Sequence, residues 1–523
     1  MPTTIAPEHT PASAAGVSLV TRPPAWLTTL ALLAVATVAI PLVYLGVRAS
    51  EVPFAEALGI LSRPLVGELV LNIIGLSVAV SATAIAMGTV IATIVTRLRI
   101  GAARTWLLVS ALPLAVPSYL ASYGWLVLVP GLNGFWPSWA LLSAVTIPYV
   151  TLPVAAVLRG TSADGEAVAR TLGLRPTQAF WRVTWPQVRP AAIAGGLLVF
   201  LYTLSDFGLV AMLRFQTLTW GVQQAYSASF DRSQAALLAL LLVVIAIVVV
   251  AAERGARGSV TRTTAVHSTK EPLTPLIRVL FTSLVALPPA IGVLFPLVGL
   301  SARLAEATTL RSINVERLVE ATITTMSVSI AAALVALALA LPIAALGARY
   351  RGRWVSVVES AGYLSNGLPG IVVGLSLVFF SLSVIPALYQ TVVVLVFAYA
   401  VLFMPKALGT ARASIEGVSV DLINVARTLG ASRFQAWWRV TVPLALPGIG
   451  IGALLVAITT MKELPATLLL RPLGSSTLAT ELWSRTAAGE FGAAAPYAAV
   501  LVLVAAIPAM ILSGVRSVAK EEL

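Results

Sequence analysis

Four side chains within apolar stretches of the sequence are suited to bind or balance charge. Two are carboxylates, Asp206 and Glu463, and the residues directly before them are Ser205 and Lys462. An ionisable group at membrane depth is costly unless it pairs or faces a water-filled path, which makes it a functional candidate. The two carboxylates are suited to transient contact with a passing cation, and no firm metal site is predicted.

The sequence around the two carboxylates leaves other roles open. Phe-Gly follows Asp206 and Leu-Pro follows Glu463, so each carboxylate is also suited to cap a helix break or to couple a gate. Asn72 and Thr322 are weaker candidates for the same path. Polar residues in apolar helices often serve only to hydrogen-bond neighbouring helices.

Composition excludes most catalytic chemistry. The chain has no Cys, and its two His residues, His9 and His267, both lie in polar stretches, which argues against thiolate, iron–sulfur and imidazole-rich sites. No Gly-Lys pair occurs, so the sequence lacks the GxxxxGK[ST] loop that holds nucleotide phosphates. We therefore predict a protein that is not an enzyme, binds no cofactor itself and takes its energy from a partner or an ion gradient.

Apolar runs position these residues in a membrane. Of the 523 residues 58% are hydrophobic and 11% are charged, against about 25% charged residues in a soluble domain. Twelve runs reach about 18 residues, the length that spans a bilayer as a helix. Proline or glycine interrupts the third, fourth and ninth runs, Trp106–Val129, Trp139–Leu158 and Val357–Ile385. The pattern predicts an all-α polytopic membrane protein with about 12 transmembrane helices and the lipid bilayer as its surroundings.

The net charge of +13 predicts the orientation. Most of the 34 Lys and Arg residues, with Lys406 counted among them, are assigned to alternate connecting segments, and the remaining segments are close to neutral. Because positive residues concentrate in cytoplasmic loops, we predict that both termini are cytoplasmic. The excess charge is thereby explained without a nucleic-acid partner.

An internal repeat divides the chain into two halves. Residues 164–190 align without gaps on residues 421–447, an offset of 257, and 15 of the 27 positions are identical. Six predicted helices fall in each half, and parallel repeats of this kind enclose a path between them. The same offset pairs Asp206 with Glu463 and Ser205 with Lys462.

The predicted divisions follow from the repeat and the polar linker. They are a cytoplasmic tail 1–25, a first membrane domain 26–252, a cytoplasmic linker 253–275, a second membrane domain 276–515 and a cytoplasmic tail 516–523.

Each repeat loop reads as two short helices joined by a turn. Gly173 and Gly430 follow the first helix, where a left-handed cap favours glycine. Pro186 and Pro443 are expected to end the second helix and lead into the next membrane span. Two matched loops on the cytoplasmic side imply a partner with two matched sockets.

The loops resemble the EAA loop of ATP-binding cassette importer permeases. The resemblance assigns ATPase docking to the following positions: Ala167, Ala169, Arg170, Gly173 and Pro186 in the first loop, and Asn424, Ala426, Arg427, Gly430 and Pro443 in the second. It implies the type I importer permease fold in a bacterial inner membrane. It further implies two copies of a cytosolic subunit that uses ATP, and a periplasmic binding protein. The family's glutamate is replaced by Ala167 and Asn424, and Glu166 is displaced by one position.

A narrower resemblance concerns the segments after the loops. Ser205-Asp206-Phe207-Gly208, and the stretch from Met461 to Pro472, are similar to fused ferric-iron permeases. That resemblance implies ferric iron as substrate, and hard ferric iron prefers oxygen ligands such as the two carboxylates. Fused permeases for thiamine share the layout, so thiamine or another small cation is the alternative substrate. A twelve-helix, gradient-driven secondary transporter is the rival class, but such a carrier has no need for two matched cytosolic loops.

Overall fold

The computed structural model describes residues 23–160, 164–227, 232–256, 273–306, 309 and 313–521. Most of the predicted N-terminal tail and of the linker 253–275 lies outside the described residues. Within the described part the chain folds into helices, with no β-strand. The predicted all-α polytopic class is therefore confirmed.

Ten helices of the described residues are long and apolar enough to cross a membrane. They are Ala25–Ser50, Pro64–Arg97, Phe135–Gly160, Thr177–Ser205 and Arg232–Ala252 in the first half, and Pro275–Leu304, Val315–Arg349, Val392–Gly417, Phe434–Met461 and Phe491–Pro508 in the second. We keep the ordinal numbers of the twelve predicted runs, so that these helices are spans 1, 2, 4, 5, 6, 7, 8, 10, 11 and 12.

The third and ninth spans are broken, as their internal prolines suggested. Helices Ala103–Ala115 and Ser118–Leu128 meet at 90°, and helix Arg353–Gly362 is separated from Gly370–Val384 by a 3-10 turn. Pro117 and Pro369 stand at the two breaks with extended backbone, because proline limits its own φ and lacks an amide hydrogen. The number of complete membrane crossings stays a prediction.

Pro186 and Pro443 do not end the second loop helix, so that prediction was wrong. Each lies in a continuous helix, two residues after the end of a π-helical turn at Phe180–Thr184 or Trp437–Thr441. The amide of Trp185 reaches back five residues to the carbonyl of Phe180, and this wider turn leaves room for the proline ring. The second helix of each loop is consequently continuous with the span that follows it.

The first span of each half packs against the other half. In span 1, Tyr44 makes an edge-to-face ring contact at 5.6 Å with Phe380 of span 9. In span 7, the carbonyl of Ile291 accepts a hydrogen bond of 2.9 Å from Trp125 of span 3. The two halves are thus interlocked, and the surface between them lies beside spans 3, 5, 9 and 11.

Candidate functional site

The two carboxylates lie at equivalent breaks, one after span 5 and one after span 11. The amide of Leu209 donates to Asp206 Oδ1 at 3.0 Å, and the amide of Ala466 donates to Glu463 Oε1 at 3.0 Å. Each carboxylate thereby caps a short helix, Gly208–Met212 or Pro465–Leu470. A carboxylate at a helix N-terminus is stabilised by free amides and by the helix dipole. The capping role left open by the sequence is therefore observed in both halves.

The residue that span 3 or span 9 places beside each carboxylate differs between the two halves. The hydroxyl of Ser118, at the start of the second segment of span 3, donates to Asp206. Gly370 holds the matching place in span 9, and a Cβ atom added to it would collide with Glu463 Oε1. The longer glutamate thus fills the space that a missing side chain leaves. Ser118 and Gly370 can be read from the sequence, but only the fold shows that they face the two carboxylates.

Lys462 joins the two halves. Its ammonium donates to the carbonyl oxygens of Leu114 at 3.2 Å and Ala115 at 3.3 Å, at the break of span 3. In return, the hydroxyl of Tyr119 donates to the carbonyl of Lys462 at 3.3 Å. These contacts place Lys462 at the surface where the predicted path runs.

Lys406 was missed as a site residue, and its assignment to a cytoplasmic segment was wrong. It lies within span 10, where its ammonium donates to Thr459 at 2.8 Å and lies 4.9 Å from the ring of Phe403. It also interacts electrostatically with Lys462 and Glu463. Its place within the tenth apolar run was the available signal.

The remaining predicted path residues have contacts elsewhere. Asn72 donates to the carbonyl of Gln216 at 2.9 Å, and Thr322 donates to the carbonyl of Leu318 one turn earlier in its own helix. Ser205 is the last residue of its helix and is half-buried. Across the part of the chain that the structure describes, no three His, Cys, Asp or Glu side chains are grouped as metal ligands.

The two repeat loops have the same backbone. Their first helices are Asp164–Thr171, which contains Ala167, and Val420–Thr428, which contains Asn424. Gly173 and Gly430 have φ of 89° and 90°, which confirms the predicted left-handed caps. The next amides, of Leu174 and Ala431, donate to the carbonyls of Ala169 and Ala426, each at 3.1 Å.

Both loops present the same apolar surface. Leu172 and its counterpart Leu429 are 80% and 83% exposed. Val168 and Val425 are exposed on the helix before them, and Trp181 and Trp438 are exposed on the helix after them. Apolar side chains in matched, exposed positions are typical of a protein–protein contact. We call these three pairs the loop faces.

The Glu166 carboxylate is hydrogen-bonded within its own loop. Its carboxylate accepts a hydrogen bond of 2.8 Å from Thr184, at the base of span 5. In the second loop Ile423 stands in place of Glu166, and the buried hydroxyl of Thr441 has no partner within the described residues. Ala167 and Asn424 stand at the position where the EAA loop has a glutamate, so neither loop has an acid there.

The fold and the two loops together indicate a class of protein. A helical membrane protein of two interlocked halves, with a matched loop face on each half, has the layout of a transport permease subunit. Residues 23–254 and 340–516 match the family described as binding-protein-dependent transport system inner membrane component. The chain belongs to this family, whose members are permeases rather than enzymes.

Individual relatives agree with the family. The chain is 34% identical over 504 residues to the Fe(3+)-transport system permease protein FbpB 2 of Haemophilus influenzae, covering 94% of this chain and 98% of that protein. It is 29% identical over 200 residues to the molybdenum transport system permease protein ModB of Mycobacterium tuberculosis, covering 35% and 75%. It is also 38% identical over 88 residues to the sulfate transport system permease protein CysW of Synechocystis, covering 16% and 32%.

Proposed function

We propose that this permease forms the translocation path for ferric iron in a bacterial inner membrane. The iron arrives on a periplasmic binding protein, and two copies of a cytosolic ATPase supply the energy. The similarity to an Fe(3+)-transport permease, which extends over nearly the whole of both chains, carries the substrate assignment. The matches to permeases for molybdenum and sulfate cover much shorter parts of the chain.

The ATPase contact is assigned to the loop faces. In each face the tryptophan, Trp181 or Trp438, stands on a helix that continues through the π-turn into span 5 or span 11. A displacement of the face by the ATPase is therefore passed to the break that carries Asp206 or Glu463. Closure of two ATPase subunits would move the two breaks, and with them the contacts of Lys462 between the halves.

The substrate is tested by uptake. We expect cells that lack their own ferric-iron uptake to accumulate ⁵⁵Fe when they produce this chain with its binding protein and ATPase. Thiamine and molybdate, labelled and supplied in the same cells, are expected not to accumulate. Uptake of either compound without uptake of ⁵⁵Fe contradicts the iron assignment and leaves the permease class intact.

The docking role is tested by charging the loop faces. We expect Leu172→Asp with Leu429→Asp to reduce co-purification of the ATPase at least tenfold, because a charge cannot be buried in an apolar contact without a partner. Leu473→Asp is the matched control, since Leu473 is 84% exposed in the loop after helix Pro465–Leu470, at the opposite end of span 11. Equal co-purification of all variants would rule out the loop faces as the docking surface.

A further inference from the structure

A cleft of about 1120 Å³ lies between the halves. One wall is the end of span 6, with Ala246 and Val250, and the other wall is formed by the end of span 8 and the first segment of span 9. At the end of span 8, Arg349 donates to the carbonyl of Val418 at 3.2 Å, two residues before the second loop helix begins. The cleft therefore lies on the side of the loop faces.

The inner end of the cleft reaches the break of span 9. Gly367 lines the cleft, and the break at Pro369 and Gly370 follows two residues later, where Gly370 faces Glu463. A Cβ atom added to Gly367 would lie 2.8 Å from Val250 Cγ2, so the two walls touch at this end. The cleft thus leads from the loop side to the place where spans 9 and 11 meet at Glu463.

The wall that the second half contributes is polar and close to neutral. Both arginines that line it are paired, Arg412 with Glu359 and Arg351 with Glu416. Charged groups among membrane helices face water-filled space rather than lipid. The oxygen-bearing side chains of this wall are Tyr350, Ser356, Glu359, Ser360, Tyr363 and Asn366. Such a wall suits a small hard cation, because hydroxyl, amide and carboxylate oxygens replace part of its water shell.

The first half has no matching polar wall in its sequence. Upstream of the loops the two halves align at an offset of 252, which pairs Pro117 with Pro369 and Arg97 with Arg349. At this offset the six oxygen-bearing positions correspond to Leu98, Arg104, Leu107, Leu108, Ala111 and Leu114. Five of these six side chains are apolar, so the polar wall is a feature of the second half alone.

We propose that the substrate leaves the permease through this cleft, so that exit on the loop side runs along the second half only. Movement of the loops by the ATPase separates span 6 from the break of span 9, and the contact between Gly367 and Val250 opens. The ion then passes along the oxygen-bearing wall to the cytoplasm. This inference rests on the proposed function, which makes the chain the path for a metal ion.

Thiol labels of different size test the exit route. The chain has no Cys, so Ser356→Cys places a single thiol in the cleft, and Arg104→Cys places one at the matching position of the first half. Both positions are exposed. Each variant is purified with its ATPase and labelled with a methyl or a biotin-bearing methanethiosulfonate, and mass spectrometry checks that labelling is complete. The complex is then reconstituted with its binding protein, and ⁵⁵Fe transport is measured.

We expect the biotin adduct on the Ser356→Cys variant to lower ⁵⁵Fe transport about tenfold or more, because an adduct of that size fills much of a cleft of these dimensions. Dithiothreitol, which removes the adduct, is expected to restore transport, and the smaller methyl adduct is expected to leave transport unchanged. The Arg104→Cys variant with the biotin adduct is expected to transport as the wild type does. Both labelled variants are expected to retain their ATPase.

Full transport by the biotin-labelled Ser356→Cys variant overturns the inference. Equal loss of transport in both labelled variants also overturns it, because exit would then use both halves. So does release of the ATPase together with the loss of transport, which would assign the effect to docking. Absence of ⁵⁵Fe transport by the unlabelled wild type contradicts the proposed function instead.

Discussion

The equivalent breaks after spans 5 and 11 are packed by different pairs of residues. In the first half a short carboxylate meets a hydroxyl, Asp206 with Ser118. In the second half a longer carboxylate meets an empty position, Glu463 with Gly370. The pairs are interchangeable in volume but not residue by residue, so each side chain is specified by its partner on another span.

This complementarity predicts a rescue. We expect Gly370→Ser to lower uptake and to destabilise the protein by about 1–3 kcal/mol, because the added atoms overfill a packed site. Adding Glu463→Asp to that variant is expected to restore both properties, since it recreates the pair of the first half. The measurements are thermal unfolding in detergent and ⁵⁵Fe uptake, and a double variant no better than Gly370→Ser would contradict the pairing.

The buried carboxylate of Glu481, which lies between spans 11 and 12, predicts a pH dependence. Burial alone would raise the pKa of Glu481, but hydrogen bonds from Ser476, Arg317 and Arg485 outweigh it and hold the pKa below its ordinary value. A carboxylate with a lowered pKa stabilises the fold at neutral pH, and this stabilisation is lost as the pH falls through that pKa.

We therefore expect Glu481→Gln to lower stability at pH 7 by about 1.5–3 kcal/mol, the contribution of hydrogen bonds to a charged group. The difference between variant and wild type is expected to shrink steadily as unfolding is measured at lower pH. Glu51→Gln is the control, because Glu51 is an exposed acid paired only with Arg48. A difference that stays constant down to acid pH would contradict the assigned role.

At the scale of elements, proline has two different effects in this fold. Pro117 and Pro369 break their spans, whereas Pro186 and Pro443 stay within continuous helices because a π-turn precedes each of them. Pro296 follows a third such turn, at Ala290–Leu294 in span 7. Interruptions by proline or glycine marked the third, fourth and ninth runs, and of these the third and ninth are broken whereas the fourth is one helix, Phe135–Gly160. The π-turns were missed, since a local change in hydrogen-bond spacing leaves no periodic signal over so few residues.

The interlock of the halves depends on close helix packing at Gly124. This glycine in span 3 faces Pro296 and Gly299 in span 7, and a Cβ atom on it would collide with the Pro296 backbone. Backbones approach this closely only where small residues line both helices.

We expect Gly124→Val to prevent span 7 from docking, with a sharp fall in the yield of folded permease and in its Tm. Gly75→Val is the matched control in span 2, because nothing lies within 4 Å of a Cβ atom added there. Wild-type yield and Tm for Gly124→Val would show that the contact is dispensable.

At the scale of the whole molecule, the sequence predicted the architecture better than the site. Fold class, division into halves and the loop caps follow from apolar length, a 27-residue repeat and two glycines, all of which are local or repeated signals. The partners of Asp206, Glu463 and Lys462 come from distant spans, so no spacing in the sequence reveals them. Lys406 was misplaced because a charge near the end of an apolar run is compatible with either the membrane or the cytoplasm.

The proposed movement between the halves predicts an effect of cross-linking. Tyr226 and Tyr389, one from each half, have their hydroxyl oxygens 3.3 Å apart. The chain has no native Cys, so Tyr226→Cys with Tyr389→Cys places the only two thiols. We expect a reducible bismaleimide linker between them to stop uptake, and reduction to restore it.

Each single-cysteine variant, treated with the same linker, controls for modification of one site alone. Full uptake by the cross-linked double variant would mean that this contact between the halves does not open during transport.

Because the first span of each half packs against the other half, span 1 is synthesised well before the spans that it contacts. Span 1 packs against spans 8 and 9, which emerge from the ribosome about 300 residues later, or roughly 15–60 s at ordinary elongation rates. During that interval span 1 waits in the bilayer without its final neighbours. The first half made alone would lack span 7, and the second half made alone would lack span 1. Joining both halves in one chain therefore keeps span 1 beside the growing protein until its partners are made.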